Sequence, residues 1–231
     1  MRAVGDAAAA HRLALPWGFR AGVAGVVKVV VGRLTGIETV LLDLDGTLYV
    51  GSQVVPGAPE AVRWLRDQGL TVRFCTNTDS IAPAALADRL GRFGFQTSAD
   101  ELVTPVAVAE RLFGAAPEAR VLAVAADGVR QLLDRFLAGP GEPATHVLVA
   151  DPSYGATYED LDAAFQALRA GAELVATQVN RVAVRDDGEH LDTGGWVRLL
   201  EYATGESARV LGKPAAGCFT ASSCGSICPL G

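Results

Sequence analysis

Short apolar runs alternate with helix-like patterns along most of this chain, and this alternation strongly limits the folds that it can adopt. The runs at 39–42, 121–125 and 146–150 have the length and β-favouring composition of buried strands. Between such runs, apolar residues recur three and four positions apart, as in amphipathic helices. Strands that alternate with helices in this way form a mainly parallel sheet covered by helices. We therefore expect an α/β fold with a Rossmann-like parallel sheet.

The remaining elements follow from the same periodicities. Further strands are predicted at 70–75, 173–177, 182–184 and 209–211. Helices are predicted at 58–68, 83–93, 101–112, 129–137, 158–169 and 195–203. The final stretch is rich in Ser, Gly and Cys and shows no sustained period, so we expect a tail there.

Composition excludes several classes of protein. Half of the residues are hydrophobic and 20% are charged, which indicates an ordered globular chain. The net charge of -6 and the lack of Lys/Arg runs argue against a nucleic-acid partner. The most apolar stretch, 21–31, is interrupted by Lys28 and is too short to span a bilayer. We expect a cytoplasmic protein without a membrane partner, and the sequence leaves a homodimer open.

The strongest functional signal is the segment Asp43-Leu44-Asp45-Gly46-Thr47, which directly follows the first apolar run. Ligand sites gather where the strands of a parallel sheet end. Two carboxylates one residue apart can divide the work of nucleophile and proton donor there. Asp43 can face a bound cation and attack phosphorus, while Asp45 can protonate the leaving oxygen and later activate water. The alternative is a plain surface turn, since Asp-Gly is common in turns.

Two further strand ends carry groups suited to phosphate. Thr76 and Asn77 follow one predicted strand, where a hydroxyl and backbone N–H groups would bind phosphate oxygens. These residues could also cap the next helix. Lys213 follows the last predicted strand, between a Gly and a Pro, and its ammonium could neutralise charge shared by Asp43 and phosphoryl oxygens. A solvated surface lysine is the alternative there.

Together, and in this order, the three strand-end motifs resemble those of the haloacid dehalogenase (HAD) superfamily of phosphatases. The long segment between Thr76 and Lys213 lies where subfamily IIA inserts a large α/β cap. The resemblance covers residues 36–214 and implies a HAD-like core with such a cap. The divisions that it implies are an N-terminal extension at 1–35, the first part of the core at 36–111, the cap at 112–208, a core return strand with the Lys motif at 209–214, and an atypical tail at 215–231.

The resemblance also implies a reaction and roles for individual residues. Asp43 would be the nucleophile and Asp45 the acid/base in the hydrolysis of a phosphomonoester, phosphoramidate or pyrophosphate through an aspartyl-phosphate. Mg²⁺ would bind the Asp43 carboxylate and the Asp45 main-chain carbonyl. The residues assigned to substrate binding are Asp43, Leu44, Asp45, Thr76, Asn77 and Lys213.

One part of the family pattern does not occur in this sequence. The family continues after its Lys-Pro with a Gly-Asp-Asp type segment that completes the magnesium site, but no Asp or Glu follows Glu206 here. On that basis we expect a weakened metal site, a core that is incomplete at its C-terminal end, and an enzyme that could be inactive. The first alternative is a non-catalytic remnant that binds phosphate or a partner. A receiver-like signalling domain and a dinucleotide-binding oxidoreductase are less favoured, the latter because no Gly-x-Gly-x-x-Gly follows a strand.

Overall fold

Two parallel sheets organise residues 36–152 and 155–215, which are the residues that the computed structural model describes. The predicted N-terminal extension and all but the first residue of the predicted tail lie outside this part of the chain. The strands are β1 Thr39–Leu42, β2 Tyr49–Val50, β3 Gln53–Val54, β4 Thr71–Cys75, β5 Leu102–Val103, β6 Val121–Ala125, β7 His146–Ala150, β8 Glu173–Ala176, β9 Val182–Arg185, β10 Gly188–Leu191 and β11 Arg209–Val210. The helices are α1 Ala58–Asp67, α2 Pro83–Arg92, α3 Pro105–Gly114, α4 Asp127–Leu132, α5 Tyr158–Arg169 and α6 Thr193–Thr204, with 3₁₀ turns at Ala99–Glu101 and Asp134–Phe136. The predicted α/β class is confirmed.

The first sheet contains three parallel strands in the order β1-β4-β5. Leu42 lies opposite Phe74 in the register of β1 and β4, so the two strands end side by side. Helices α1 and α2 pack on one face of this sheet, and complete burial of a side chain such as Phe74 contributes about 1.5–3 kcal/mol. The buried residues on this face include Val62, Val72, Phe74, Leu86, Leu90 and Phe95.

The second sheet contains four parallel strands in the order β11-β8-β7-β6 and is covered on both faces. Leu148 of β7 packs among residues of α3 and α4, while its neighbours Val147 and Val149 pack among residues of α5 and α6. Successive side chains of a strand point to opposite faces, so burial on both faces requires a continuous apolar run. The sequence of β7 therefore reads as a hydrophobic stretch and not as an alternating one.

Several predicted boundaries differ from the structure. The helix predicted at 101–112 is a 3₁₀ turn, strand β5 and helix α3, which begins at Pro105. Proline disfavours helical backbone in the residue before it but fits the first turn of a helix, so the chain stays extended through Thr104. The prediction at 129–137 corresponds to α4 and a separate 3₁₀ turn. The sequence predicted neither strand of the hairpin β2/β3, and it predicted only β9 of the hairpin β9/β10. Strands of two to four residues carry little periodic signal.

The positions of α3 and β11 also differ from the predicted domain division. Helix α3 begins within the predicted core segment, yet its residues Val106 and Phe113 are buried in the hydrophobic cluster of the second sheet. Strand β11 was predicted as a core strand, but Arg209 pairs with Val175 of β8 in the second sheet. Lys213 therefore reaches the first sheet from the second one. No helix within the described residues is long and apolar enough to cross a bilayer.

Candidate active site

The end of β1 carries both candidate catalytic carboxylates on a tight turn. Gly46 has a φ of +79°, a conformation that glycine adopts at little cost, and its N–H donates to the carbonyl of Tyr49 at 2.8 Å. The Leu44 carbonyl accepts the N–H of Leu48 at 2.8 Å, and the Leu44 side chain is fully buried in the first core. Leu44 could therefore contact a substrate through its backbone only. Asp45, in contrast, is exposed at the end of the sheet.

Hydroxyl groups from the end of β4 hold the Asp45 carboxylate. Its Oδ2 accepts hydrogen bonds from Thr78 Oγ1 at 3.1 Å and from Thr76 Oγ1 at 3.4 Å. The two hydroxyls lie 2.8 Å apart, and the Thr78 N–H donates to Thr76 Oγ1 at 3.0 Å. Thr76 was predicted as a site residue, whereas Thr78 was not. The signal that could have found it is a second hydroxyl two residues beyond Thr76.

Asp43 and Lys213 form an ion pair, although 170 positions separate them in the sequence. The Lys213 ammonium donates to Asp43 Oδ1, and it also donates to the carbonyl of Cys75, the last residue of β4, at 3.1 Å. The Asp43 side chain remains 46% exposed, so a ligand can reach it from solvent. The structure thus brings together Asp43, Asp45, Thr76 and Lys213, as expected from their positions at strand ends.

The Asn77 side chain is engaged by the main chain of Lys213. Its Oδ1 accepts the Lys213 N–H at 2.8 Å, and its Nδ2 donates to the Lys213 carbonyl at 3.1 Å. A weaker contact of 3.4 Å joins the same Nδ2 to Oδ1 of Asn180, which follows β8. Asn77 therefore positions Lys213, and any contact of Asn77 with phosphate would come from its backbone N–H.

Gly212 permits the close approach that brings Lys213 to this site. Its N–H donates to the Thr177 carbonyl at 2.7 Å. A Cβ at this position would lie 2.6 Å from the same carbonyl oxygen and 2.7 Å from Oδ1 of Asn77. Any larger residue would have to displace the backbone at Thr177 or the Asn77 amide, so glycine is the residue that fits before Lys213 without displacing either.

Tyr49 is a neighbour of the site that sequence reasoning missed. Its ring is fully buried and lies 5.2 Å from the ring of Phe93, centroid to centroid, with the Arg89 guanidinium over its face. Burial, and then the charge of Asp45, raise the pKa of the Tyr49 phenol well above its ordinary value. The hydroxyl lies near Asp45 and Thr78 but makes no hydrogen bond within the described residues.

The donor atoms at the site suit a hard cation. Asp43 and Asp45 offer oxygen ligands, and Mg²⁺ is commonly bound by one or two carboxylates together with waters and substrate phosphates. In residues 36–152 and 155–215, no group of three or more His, Cys, Asp or Glu side chains is placed to hold a metal ion. The residues present therefore fit Mg²⁺ by the chemistry of their oxygens, with a small number of protein ligands.

Comparison with known proteins points to one family. Residues 40–136 match the family model for haloacid dehalogenase-like hydrolases. Human haloacid dehalogenase-like hydrolase domain-containing protein 2 is 36% identical over 178 residues, covering 77% of this chain and 67% of that protein. Bovine phospholysine phosphohistidine inorganic pyrophosphate phosphatase is 35% identical over 191 residues, covering 79% of this chain and 68% of that protein.

Solved structures give the same picture. A glycerol phosphate phosphatase from Mycobacterium tuberculosis in complex with magnesium matches with a TM-score of 0.73 at 30% identity. The match covers 80% of this chain but only 56% of that chain. A p-nitrophenyl phosphatase from Archaeoglobus fulgidus matches with the same TM-score of 0.73 at 23% identity, covering 80% of this chain and 72% of that one. At that identity the second match shows a shared fold alone.

Proposed function

Because the chain belongs to the haloacid dehalogenase-like hydrolases, we propose that it is a phosphatase that works through an aspartyl-phosphate on Asp43. The observation that carries the proposal is the ion pair between Lys213 and Asp43, next to an Asp45 carboxylate held by two threonine hydroxyls. A nucleophile, an acid/base and a cation for phosphoryl charge thus lie within one strand-end site.

The reaction takes two steps. In the first, an oxygen of Asp43 forms a bond to phosphorus as the bond to the leaving group breaks, and Asp45 gives its proton to the leaving oxygen, or to the leaving nitrogen of a phosphoramidate. In the second, Asp45 takes a proton from a water molecule that attacks phosphorus, and the Asp43 oxygen leaves with its electron pair. Lys213 and the Thr76 hydroxyl stabilise the charge on the phosphoryl oxygens in both steps.

A divalent cation fits this reaction, and we propose Mg²⁺. The Asp43 carboxylate and the Asp45 main-chain carbonyl would hold it. When bound, the ion would neutralise phosphate charge and orient the phosphoryl group for in-line attack. The mycobacterial relative was solved with magnesium and also with calcium, which supports a divalent metal in the family.

The second sheet and its helices are proposed to act as a cap over this site. Asn180, in the loop after β8, supports this role because its side chain reaches Asn77 beside Lys213. A cap excludes water and contacts the leaving group, whereas the chemistry at phosphorus stays the same. The names of the relatives include a phosphomonoester, phosphoramidates and pyrophosphate. We propose substrates from these three classes, all of them small phosphorylated compounds.

A second candidate is a non-catalytic protein that binds phosphate. The absence of a third metal-binding acid within the described residues favours this alternative. It predicts phosphate binding without turnover, so one assay separates the two candidates.

The test is phosphate release from p-nitrophenyl phosphate and from pyrophosphate, with Mg²⁺ and with a chelator. We expect release with Mg²⁺, and a loss of at least about 10³-fold in Asp43→Asn, because the amide cannot form the aspartyl-phosphate. Asp88→Asn is the matched control, since Asp88 is an exposed aspartate on helix α2, which packs on the first sheet. Equal release by Asp43→Asn and the parent chain would contradict the covalent mechanism.

A further inference from the structure

Another carboxylate among the described residues is held by threonine hydroxyls, away from Asp43 and Asp45. Asp79 is only 4% exposed. Its Oδ2 accepts hydrogen bonds from Thr177 Oγ1 at 2.6 Å, Thr193 Oγ1 at 2.8 Å and the Asp151 N–H at 3.2 Å. These donors lie at the end of β8, at the start of α6 and at the end of β7. One oxygen of a residue in the first sheet's loop therefore joins three elements of the second sheet.

A buried carboxylate in this position is costly for the fold. Removing a carboxylate from water is strongly unfavourable unless donors or cations replace the water, and the three donors offset part of that cost. The pKa of Asp79 is raised to about 6, chiefly by burial and also by the carboxylates of Asp192 and Asp151, whereas its hydroxyl donors act in the opposite direction. Arg185 of β9 lies 3.9 Å from the Asp151 carboxylate and brings a cation to the cluster.

The loop that carries Asp79 is connected to Lys213 in two ways. Thr177, whose hydroxyl binds Asp79, also accepts the Gly212 N–H with its carbonyl at 2.7 Å. Two residues before Asp79, Asn77 pairs with both main-chain groups of Lys213. The hydrogen bonds therefore close a ring that runs through Asp79, Thr177, Gly212, Lys213 and Asn77. A closed ring restricts each member more than a single contact does.

We propose that Asp79 is a positioning residue for the reaction at Asp43. By closing this ring it fixes the place of the Lys213 ammonium and of the Thr76 hydroxyl relative to the nucleophile. The consequence for catalysis rests on the proposed phosphatase function, whereas the ring can be tested without any turnover.

The first test measures amide hydrogen exchange at pH 7.5 in Asp79→Asn, Thr177→Val and the control Asp88→Asn. Thr177→Val removes the hydroxyl that binds Asp79 and keeps the carbonyl that binds Gly212. The proposal can therefore be tested with this variant if Asp79→Asn folds poorly. We expect exchange at the Gly212 and Lys213 amides to rise about tenfold in both ring variants, with the centre of β7 unchanged. Exchange at these two amides equal to that of the parent chain and of Asp88→Asn would overturn the proposal.

The second test measures kcat and KM for p-nitrophenyl phosphate in the same variants. A misplaced Lys213 weakens contacts made in the transition state, so we expect kcat to fall about 10- to 100-fold with KM changed less than about threefold. An unchanged kcat in both ring variants would refute a positioning role for Asp79 in the reaction. If exchange responds while the parent chain releases no phosphate, the phosphatase proposal fails and the ring stands, so the two failures are distinguishable.

Discussion

Asp45 and Asp79 are held by the same kind of group in opposite surroundings. Each carboxylate accepts hydrogen bonds from the hydroxyls of two threonines at strand or helix ends. Asp45 is exposed, whereas Asp79 is buried between the two sheets. Because the donors are alike, exposure to solvent and substrate is the main difference between the two carboxylates.

This comparison shows what burial does to a carboxylate. An exposed carboxylate keeps its water, can exchange protons with a substrate and costs the fold little. A buried carboxylate is held in a fixed position, and the free-energy cost of its desolvation is offset only by the hydrogen bonds that it accepts. Asp45 is therefore suited to proton transfer and Asp79 to holding the elements around it.

The largest expected effect separates these two roles. Asp45→Asn removes the proposed proton donor but keeps the size of the side chain and its neighbours. We expect kcat for p-nitrophenyl phosphate to fall about 10²- to 10⁴-fold, with the free energy of unfolding changed by less than about 1 kcal/mol. Kinetics and thermal unfolding of the same preparation check both parts. A large loss of stability, or activity within twofold of the parent chain, would erase the distinction between Asp45 and Asp79.

The next effect is the pH dependence of stability that Asp79 contributes. Its pKa rises from 3.8 to about 6 on folding, so the folded state binds the proton more tightly than the unfolded state does. The contribution to stability is therefore complete below about pH 4 and is lost as the pH rises through about 6, a change of roughly 3 kcal/mol.

Thermal unfolding of the parent chain and of Asp79→Asn between pH 4 and pH 8 measures this contribution as a difference. As the pH rises from 4 to 8, the parent chain should lose unfolding free energy relative to Asp79→Asn. Asp88→Asn leaves Asp79 in place and should follow the parent chain at every pH. A difference that stays constant from pH 4 to pH 8 would mean that Asp79 does not take up a proton in the folded state.

Residues at strand ends could be predicted from the sequence for a simple physical reason. A run such as 39–42 shows where a strand ends, and parallel neighbours end at the same edge of a sheet. The periodicity of the chain therefore makes Asp43 and Thr76 candidates for a strand-end site, and the resemblance to the haloacid dehalogenase phosphatases implies that they share one. Lys213 was also predicted there, although its strand lies in the second sheet and not in the first.

The contacts of Asp79 could not be predicted in this way. Its donors Asp151 and Thr193 lie 72 and 114 positions further along the chain, and no local period connects them. The same limit explains why Tyr49 was missed, since it becomes a neighbour of the site only through packing. Short strands such as β5 were missed because two residues cannot show a period of two.

The smallest expected effect concerns Gly212, where the ring and the candidate active site meet. Gly212→Ala would push a Cβ against the Thr177 carbonyl, so we expect a loss of about 1–3 kcal/mol in the free energy of unfolding. Gly91→Ala is the matched control, because a Cβ at this position in α2 meets no atom within 4 Å. The control should gain about 0.5–1 kcal/mol from alanine's higher helix propensity.

Urea unfolding of both variants measures these opposite shifts, and the kinetics of Gly212→Ala separates the site from the fold. Because Gly212 lies between Thr177 and Lys213, its substitution should lower kcat by a larger factor than Gly91→Ala does. If both alanine variants were equally stable and equally active, the close approach of β8 to the chain before Lys213 would have no energetic weight. Asp79 could then not position Lys213 through Thr177 and Gly212.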